Sequence, residues 1–180
     1  AQTIGHVSID IQDLNCDFLA ASAHKMYGPT GVGILFGRAE LLEAMPAFLG
    51  GGGMISGVYA DHFTAGLIPD KFEAGTPPIA DAIGMAVACS YIKQIGWEEI
   101  SRLENILVDY AQAEIAKRAY IKLLGVSKNK LPVFAFAIDG IHAHDLADLL
   151  GQDGLIVRAG HHCAQPLHDS LGVMASLRMS

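Results

Sequence analysis

Strand-like and helix-like segments occur twice over along this chain, with a helical joint near residues 90–120 between the two sets. That pattern predicts an α/β protein. Apolar residues make up 51% of the 180 and charged residues only 17%, enough for a sizeable core and too little charge for a disordered chain or a coiled coil. Glycine is abundant, at 20, and it punctuates the apolar runs.

The elements follow in order. CDFLAASAHK (16–25) opens as an apolar run bounded by polar residues and predicts a buried strand. Gly28, Pro29, Gly31 and Gly33 mark a turn. GVGILFG (31–37) is a second glycine-bounded apolar run, close enough to lie beside the first in one sheet. RAELLEAMPAFL reads as a short helix that Pro46 ends or kinks. GGGGMISG (50–57) predicts a loop, because ordering four successive glycines is entropically costly.

From Pro78 the character changes. IADAIGMAVACSYIKQIG has small apolar residues round much of its circumference and predicts a buried helix. After Gly96, WEEISRLENILVDYAQAEIAKRAY is amphipathic, with Ile100, Leu103, Ile106, Leu107, Tyr110 and Ala111 on one stripe. PVFAFAID (132–139) alternates as a strand does. AHDLADLLGQDG reads as a helix starting near His144 or Asp145 and ending near Gly151. LIVRAG (155–160) reads as another strand. His142 carries no visible role. The division is expected at 95/96, giving a first part over residues 1–95 and a second over 96–180.

Composition excludes several functions. The net charge is −7 and the pI near 5.5, so no basic groove for nucleic acid is expected. No run of 18 apolar residues is long enough to span a membrane. Cys16, Cys89 and Cys163 are scattered without a CxxC pair, which reads as reduced thiols of a cytoplasmic protein. Cys16 and Cys89 lie in apolar contexts and read as inert core thiols. Neither AQTIGHV nor ASLRMS looks like a natural end, so a piece of a longer protein is expected.

Two constellations carry chemistry. The first is SAHKMYGPTGVG (22–33). A lysine attacks carbonyls as the neutral amine, and Lys25 falls at the end of a predicted strand with Ser22 and His24 beside it. Hydroxyl and imidazole can donate to a phosphate, and glycine lets backbone approach a ligand closely. Together they suit a phosphorylated aldehyde, of which pyridoxal phosphate is the obvious biological case. The same residues also read as a strand-end lysine reaching solvent.

The second constellation is VRAGHHCAQPLH (157–168). Cys163 follows His161 and His162, with Arg158 five residues upstream, and cationic or proton-accepting neighbours raise a thiolate fraction. Gly160 and Pro166 bound the stretch as a loop. A zinc site of His161, His162, Cys163 and His168 is an alternative, but adjacent side chains splay apart and no cysteine pair supports them; no metal is expected. A Cys-His protease and a plain exposed loop are further alternatives.

Together these segments resemble one family. SAHKMYGPTGVG is similar to the cofactor-lysine segment of the cysteine desulfurases, and RAGHHCAQP to the R-x-G-H-H-C-A loop of their SufS-type (group II) branch, which includes selenocysteine lyase-like enzymes. GGGGMI (50–55) and FEAGTP (72–77) match two further segments in order, and Ala1-Gln2 matches the tail of a D-G-A-Q motif. The resemblance implies a class-V aminotransferase, a fold-type I pyridoxal-phosphate enzyme. This chain would carry the end of the large cofactor domain and most of the small C-terminal domain.

Roles follow from the resemblance. Lys25 would bond the cofactor and, once displaced, carry a proton. Ser22 and His24 would hold the phosphate, and Gln2 the phenolic oxygen. Thr76 would reach the phosphate of the partner in a homodimer. Cys163 would take sulfur from L-cysteine as a persulfide, leaving L-alanine, for a sulfur-acceptor protein, often one serving iron–sulfur assembly. Arg178 would clamp the substrate carboxylate, with Arg158 near it.

The same resemblance places an aspartate and a ring-stacking histidine upstream of Ala1, so this piece alone is expected to be inactive or nearly so. SGVYADHFTAG (56–66) departs from the family, and it lies where the active-site rim is expected. The alternative activities are a selenocysteine lyase and a non-catalytic relative acting as a scaffold or dimer partner.

Overall fold

The computed structural model describes residues 2–127 and 129–180. The chain divides into two compact units, Ala1–Ile100 and Ser101–Ser180.

In the first unit a 3-10 turn at Gln2–Gly5 leads to α1 (Ile11–Leu14). Asp10 caps α1 by accepting from the N–H groups of Gln12 and Asp13, 2.8 and 3.4 Å away. Then β1 (Phe18–Ser22) and β2 (Gly33–Gly37) pair antiparallel, with Ser22 opposite Gly33, as two close apolar runs predict. β1 is less buried than expected: Phe18 and Ala20 are exposed and only Ala21 is buried. α2 (Ala39–Ala44) stops at Met45, ahead of Pro46, whose ring disfavours helical geometry in the residue before it. A hairpin follows, of β3 (Ile55–Val58) and β4 (Phe63–Ala65). The loop expected over 50–57 is therefore shorter, and its last residues are strand. α3 (Ile79–Ile95) ends at Gly96, where α4 (Trp97–Ala116) takes over.

The core of this unit joins Ala23, Met26, Met85, Ile92 and Ile100, with Ile4, Val32, Cys89 and Trp97 packed against it. Burying an Ile or Met side chain contributes roughly 1.5–3 kcal/mol. On α3 the buried positions Met85, Ala88 and Ile92 form a single stripe at helical spacing. Ile79, Ile83, Val87 and Tyr91 lie on another face and are exposed. The helix is apolar nearly all round, as the sequence indicates, but only one face of it is covered. On α4 the expected stripe is also displaced. Ile100 is buried, but Leu103, Ile106, Leu107 and Tyr110 are exposed, and Val108 is buried instead. Ile100 packs in the core of the first unit, and Val108, outside the expected stripe, is the buried position further along the helix.

Lys71 was invisible in the sequence. Only 8% exposed, it sits in a 3-10 turn (Asp70–Phe72) and donates to the carbonyls of Glu43 and Met45 at 3.0 and 2.9 Å. These are carbonyls at the C-terminal end of α2, where a cation complements both the unpaired oxygens and the helix dipole. The turn leads directly into FEAGTP, and Gly75 N–H donates to Gly52 O at 2.8 Å, tying that segment to the glycine run.

The second unit holds β5 (Ile121–Leu124), β6 (Phe134–Ile138), α5 (Ala143–Gln152), β7 (Arg158–Gly160), α6 (Gln165–Ser170) and β8 (Ser176–Met179). The strands form one sheet in the order β5-β6-β8-β7, every neighbouring pair antiparallel. Phe134, Leu177 and Ser176 are its most buried residues, and α5 lies against β7 and β8. Sequence reading found β6 and the end of β7 but neither β5 nor β8. His142 has a role after all: it caps α5, its Nδ1 accepting from His144 N–H at 3.4 Å, a long bond, while the two rings stack 5.5 Å apart. Among the described residues no helix is long and apolar enough to cross a membrane.

Lys71→Met is expected to destabilise the protein by about 2 kcal/mol, because two helix-end carbonyls lose a charged donor. Urea unfolding of the variant against the unchanged protein measures this.

Candidate functional site

Lys25 closes a 3-10 turn, Ala23–Lys25, that starts where β1 ends. The turn alternates in burial: Ala23 is 0% exposed and Met26 7%, whereas His24 is exposed and Lys25 half-buried. The two apolar residues are core members, so they hold the backbone while the polar side chains between them face outward. Three backbone bonds fix the turn: Ala23 N–H to Val32 O at 3.0 Å, and the N–H groups of Met26 and Gly28 to Ala23 O, both at 2.9 Å. The close approach requires glycine. A Cβ at Gly28 would lie 2.9 Å from Ala23 Cβ, and one at Gly5 would lie 2.7 Å from Lys25 O. Ser22 occupies the N-cap position of the turn, yet its hydroxyl makes no capping bond. That leaves a hydroxyl, an imidazole and a primary amine on one turn of backbone, in a segment (22–33) without a carboxylate.

Thr76 is exposed in the segment that follows Lys71. The side chain of Gln2 and the whole of Ala1 lie outside the described residues.

In the second unit Cys163 is an exposed, free thiol between β7 and α6. His161 O accepts from Ala164 N–H at 2.9 Å, closing a turn whose central residues, His162 and Cys163, have φ of 53° and 64°. This is the left-handed geometry of a primed turn, which ordinarily selects glycine or asparagine. Each non-glycine residue held there costs about 1–3 kcal/mol, so the surroundings must enforce it. Histidines do so. His161 Nε2 lies 2.9 Å from Met174 O, and His162 Nε2 lies 3.1 Å from Ser176 O. His168, 5% exposed, places Nδ1 3.0 Å from Ala164 O and Nε2 2.9 Å from Ser176 Oγ. Four of the six ring nitrogens thus aim at separate protein oxygens, and among the described residues no three His, Cys, Asp or Glu converge on a metal position.

Arg158 and Arg178 stand directly opposite each other on β7 and β8. Cross-strand partners share one face of the sheet, and like charges there are destabilising. Arg178 Nε is buried without a hydrogen-bond partner among the described residues, as is His162 Nδ1. Two opposed guanidinium groups with an unused donor are suited to an anion, and a guanidinium forks readily onto a carboxylate.

His162 donates through Nε2 to a carbonyl, which can only accept, so its Nδ1 carries the lone pair. Burial pushes its pKa below the ordinary 6.5, and the nearby Arg178, His168 and Arg158 act the same way, against the opposing effect of the Ser176 hydrogen bond. The ring is therefore neutral near pH 7.

Sequence reading singled out Ser22, His24, Lys25, Arg158, Cys163 and Arg178. The first three share one turn; Arg158 and Arg178 pair across β7 and β8, and Cys163 lies on the loop that leaves β7. It missed Ser176 and the use made of His168, which it weighed only as a zinc ligand.

The Aminotransferase class-V family model matches residues 1–180. The chain belongs to the class-V aminotransferase family. Members of the family similar to it include a probable cysteine desulfurase of Synechocystis sp., 43% identical over 182 residues, covering 99% of this chain and 43% of that protein. A probable cysteine desulfurase of Xylella fastidiosa is 46% identical over 180 residues, covering 100% of this chain and 43% of that protein. Among solved structures, the cysteine desulfurase CsdA of Escherichia coli superposes with a TM-score of 0.94 at 40% identity, covering 100% of this chain and 45% of that one. The apo cysteine desulfurase of Thermococcus onnurineus NA1 gives 0.94 at 37% identity, covering 100% and 46%. The chain thus spans less than half the length of these class-V relatives. The α/β class and the resemblance to cysteine desulfurases expected from the motifs are borne out, as a partial fold.

The sign of the His162 effect follows from its lowered pKa. The unfolded chain binds the proton more readily, so the contribution to stability is fully present above 6.5 and is lost as pH falls from there toward the lower folded value. Thermal unfolding followed from about pH 8 to about pH 5 should show that loss, and His162→Gln should flatten it.

Proposed function

We propose that the chain carries part of a pyridoxal-phosphate-dependent L-cysteine desulfurase. The observation that carries this reading is an exposed thiol on an enforced left-handed turn, in the same unit as two opposed arginines. The likeness to cysteine desulfurases over the whole chain supports it.

The residues fit the cofactor. Lys25 offers a primary amine to an aldehyde, and Ser22 and His24 offer donors to a phosphate, on a turn rooted in the core and free of carboxylates. Gln2 is assigned to the phenolic oxygen. Thr76 is assigned to the phosphate of a second subunit, which makes the enzyme a homodimer. When bound, pyridoxal phosphate supplies an electron sink that acidifies the α-proton of an attached amino acid.

The chain's own residues do the rest. Arg178, with Arg158 opposite, holds the substrate carboxylate and fixes its orientation. The Lys25 amine takes the α-proton and returns it to the departing carbon skeleton. The Cys163 thiolate attacks the substrate sulfur. The new S–S bond forms as the Cβ–S bond breaks, so L-cysteine and thiol become L-alanine and a persulfide with no outside oxidant. An exposed cysteine then offers that sulfur to an acceptor protein, and we assign the enzyme to cytoplasmic sulfur mobilisation for iron–sulfur assembly.

Two experiments on the full-length holoenzyme test this. Borohydride should fix the cofactor to Lys25, and Lys25→Ala should lose both the adduct and the yellow colour. Cys163→Ala should lower cysteine desulfuration by about 100-fold or more. An unchanged rate removes Cys163 from its role, and selenocysteine turnover as the only surviving activity reassigns the enzyme as a selenocysteine lyase.

A further inference from the structure

Ser176 is 0% exposed and binds two histidines at once. Its hydroxyl lies 2.9 Å from His168 Nε2, and its carbonyl lies 3.1 Å from His162 Nε2. His162 immediately precedes Cys163. His168 reaches back through Nδ1 to the carbonyl of Ala164, which immediately follows it, at 3.0 Å. The residues on both sides of the thiol are therefore fastened to one residue of β8. Two positions further along that strand stands Arg178, and Ser176 itself pairs with Gly160 in the sheet.

We propose that His168 and Ser176 are positioning residues, a buried latch that fixes Cys163 relative to Arg178. The chemistry of the contacts defines the latch. A carbonyl only accepts, so His168 Nδ1 carries a hydrogen toward Ala164 O. In the neutral ring Nε2 then has a lone pair, and the Ser176 hydroxyl donates to it. Ala164 O also accepts from the backbone N–H groups of Leu167 and His168, so the same atom starts α6 and takes the latch. Neither residue faces solvent. Both act through the turn whose left-handed φ values the backbone alone would not keep.

The consequence concerns alignment. A nucleophile misplaced by about 1 Å can lose on the order of 100-fold in rate while substrate binding persists. Breaking the latch should therefore lower kcat more than it raises KM, because KM depends on the arginine pair, which the sheet holds independently.

The inference rests on the desulfurase reading for its kinetic arm, and the test has an arm that does not. In the full-length holoenzyme, Ser176→Ala removes the hydroxyl, Ser176→Thr keeps it, and His168→Phe removes both ring bonds at similar volume. Ser176→Ala and His168→Phe should lower kcat for L-cysteine by about 10- to 100-fold with KM changed less than about threefold, and Ser176→Thr should recover most of the rate. Independently of activity, the rate of Cys163 alkylation by iodoacetamide should shift by about threefold or more in Ser176→Ala and return in Ser176→Thr. If the unchanged enzyme shows no desulfuration, the function reading fails and the alkylation arm alone decides the latch. Unaltered alkylation in Ser176→Ala and His168→Phe overturns it. So does equal loss in Ser176→Thr and Ser176→Ala, or a parallel loss of cofactor absorbance, since either marks a general packing role.

Discussion

A side chain that does chemistry has to leave the interior while the backbone beneath it stays anchored there. The Lys25 and Cys163 loops both meet that constraint, by different means. Around Lys25 the anchor is apolar: Ala23 and Met26 are core residues, and His24 and Lys25 project from between them. Around Cys163 the anchor is polar: Ser176, His162 and His168 hold the turn by hydrogen bonds to buried atoms. The apolar device suits a side chain long enough to reach out from a fixed base. Cysteine has a single methylene, so the backbone itself must come to the surface, and only directional bonds can hold it there.

Charge placement follows the same logic at the β7–β8 edge. The chain carries a net charge of −7, yet sets Arg158 and Arg178 against each other across two strands. No carboxylate offsets them in that register, and the sheet gains nothing from the repulsion. Such an arrangement is suited to an anion. The same guanidinium groups act on His162 and help keep it neutral, so that with Nε2 donating to Ser176 O the opposite nitrogen, Nδ1, keeps its lone pair. The arginine pair and the loop anchor thus share their electrostatics.

How much was legible varies with the kind of signal. The β1–β2 pair, α2 and its stop at Pro46, α3, and β6 were read from apolar runs and breakers, which are local properties of the chain. Of the expected stripe on α4, Ile100 is buried while Leu103, Ile106, Leu107 and Tyr110 are exposed, because hydrophobicity marks a face as apolar without saying which neighbour reaches it. For the same reason Ile83 and Val87 of α3 are exposed despite a sequence that predicts burial all round. β5 and β8 were missed: each is four residues long, too short for alternation to register, and exists because β6 and β7 supply partners. Lys71 and Ser176 were missed because their significance lies in partners elsewhere along the chain, the carbonyl oxygens of Glu43 and Met45 for Lys71 and the ring nitrogen Nε2 of His168 for Ser176.

His168 marks the limit of motif reading most clearly. In the sequence it is one of four potential metal ligands within eight residues, and counting ligands cannot separate a coordination site from a hydrogen-bond lattice. Geometry separates them at once, because a metal needs lone pairs that converge, whereas here His161 Nε2, His162 Nε2 and both nitrogens of His168 each meet a different oxygen. A carbonyl partner dictates a tautomer, and the tautomer dictates what the opposite nitrogen can do. Ser176 O forces a hydrogen onto His162 Nε2 and so leaves a bare lone pair at Nδ1, buried and unshared among the described residues. One fully buried serine therefore sets both the position of the turn and the protonation pattern of the imidazole next to the thiol.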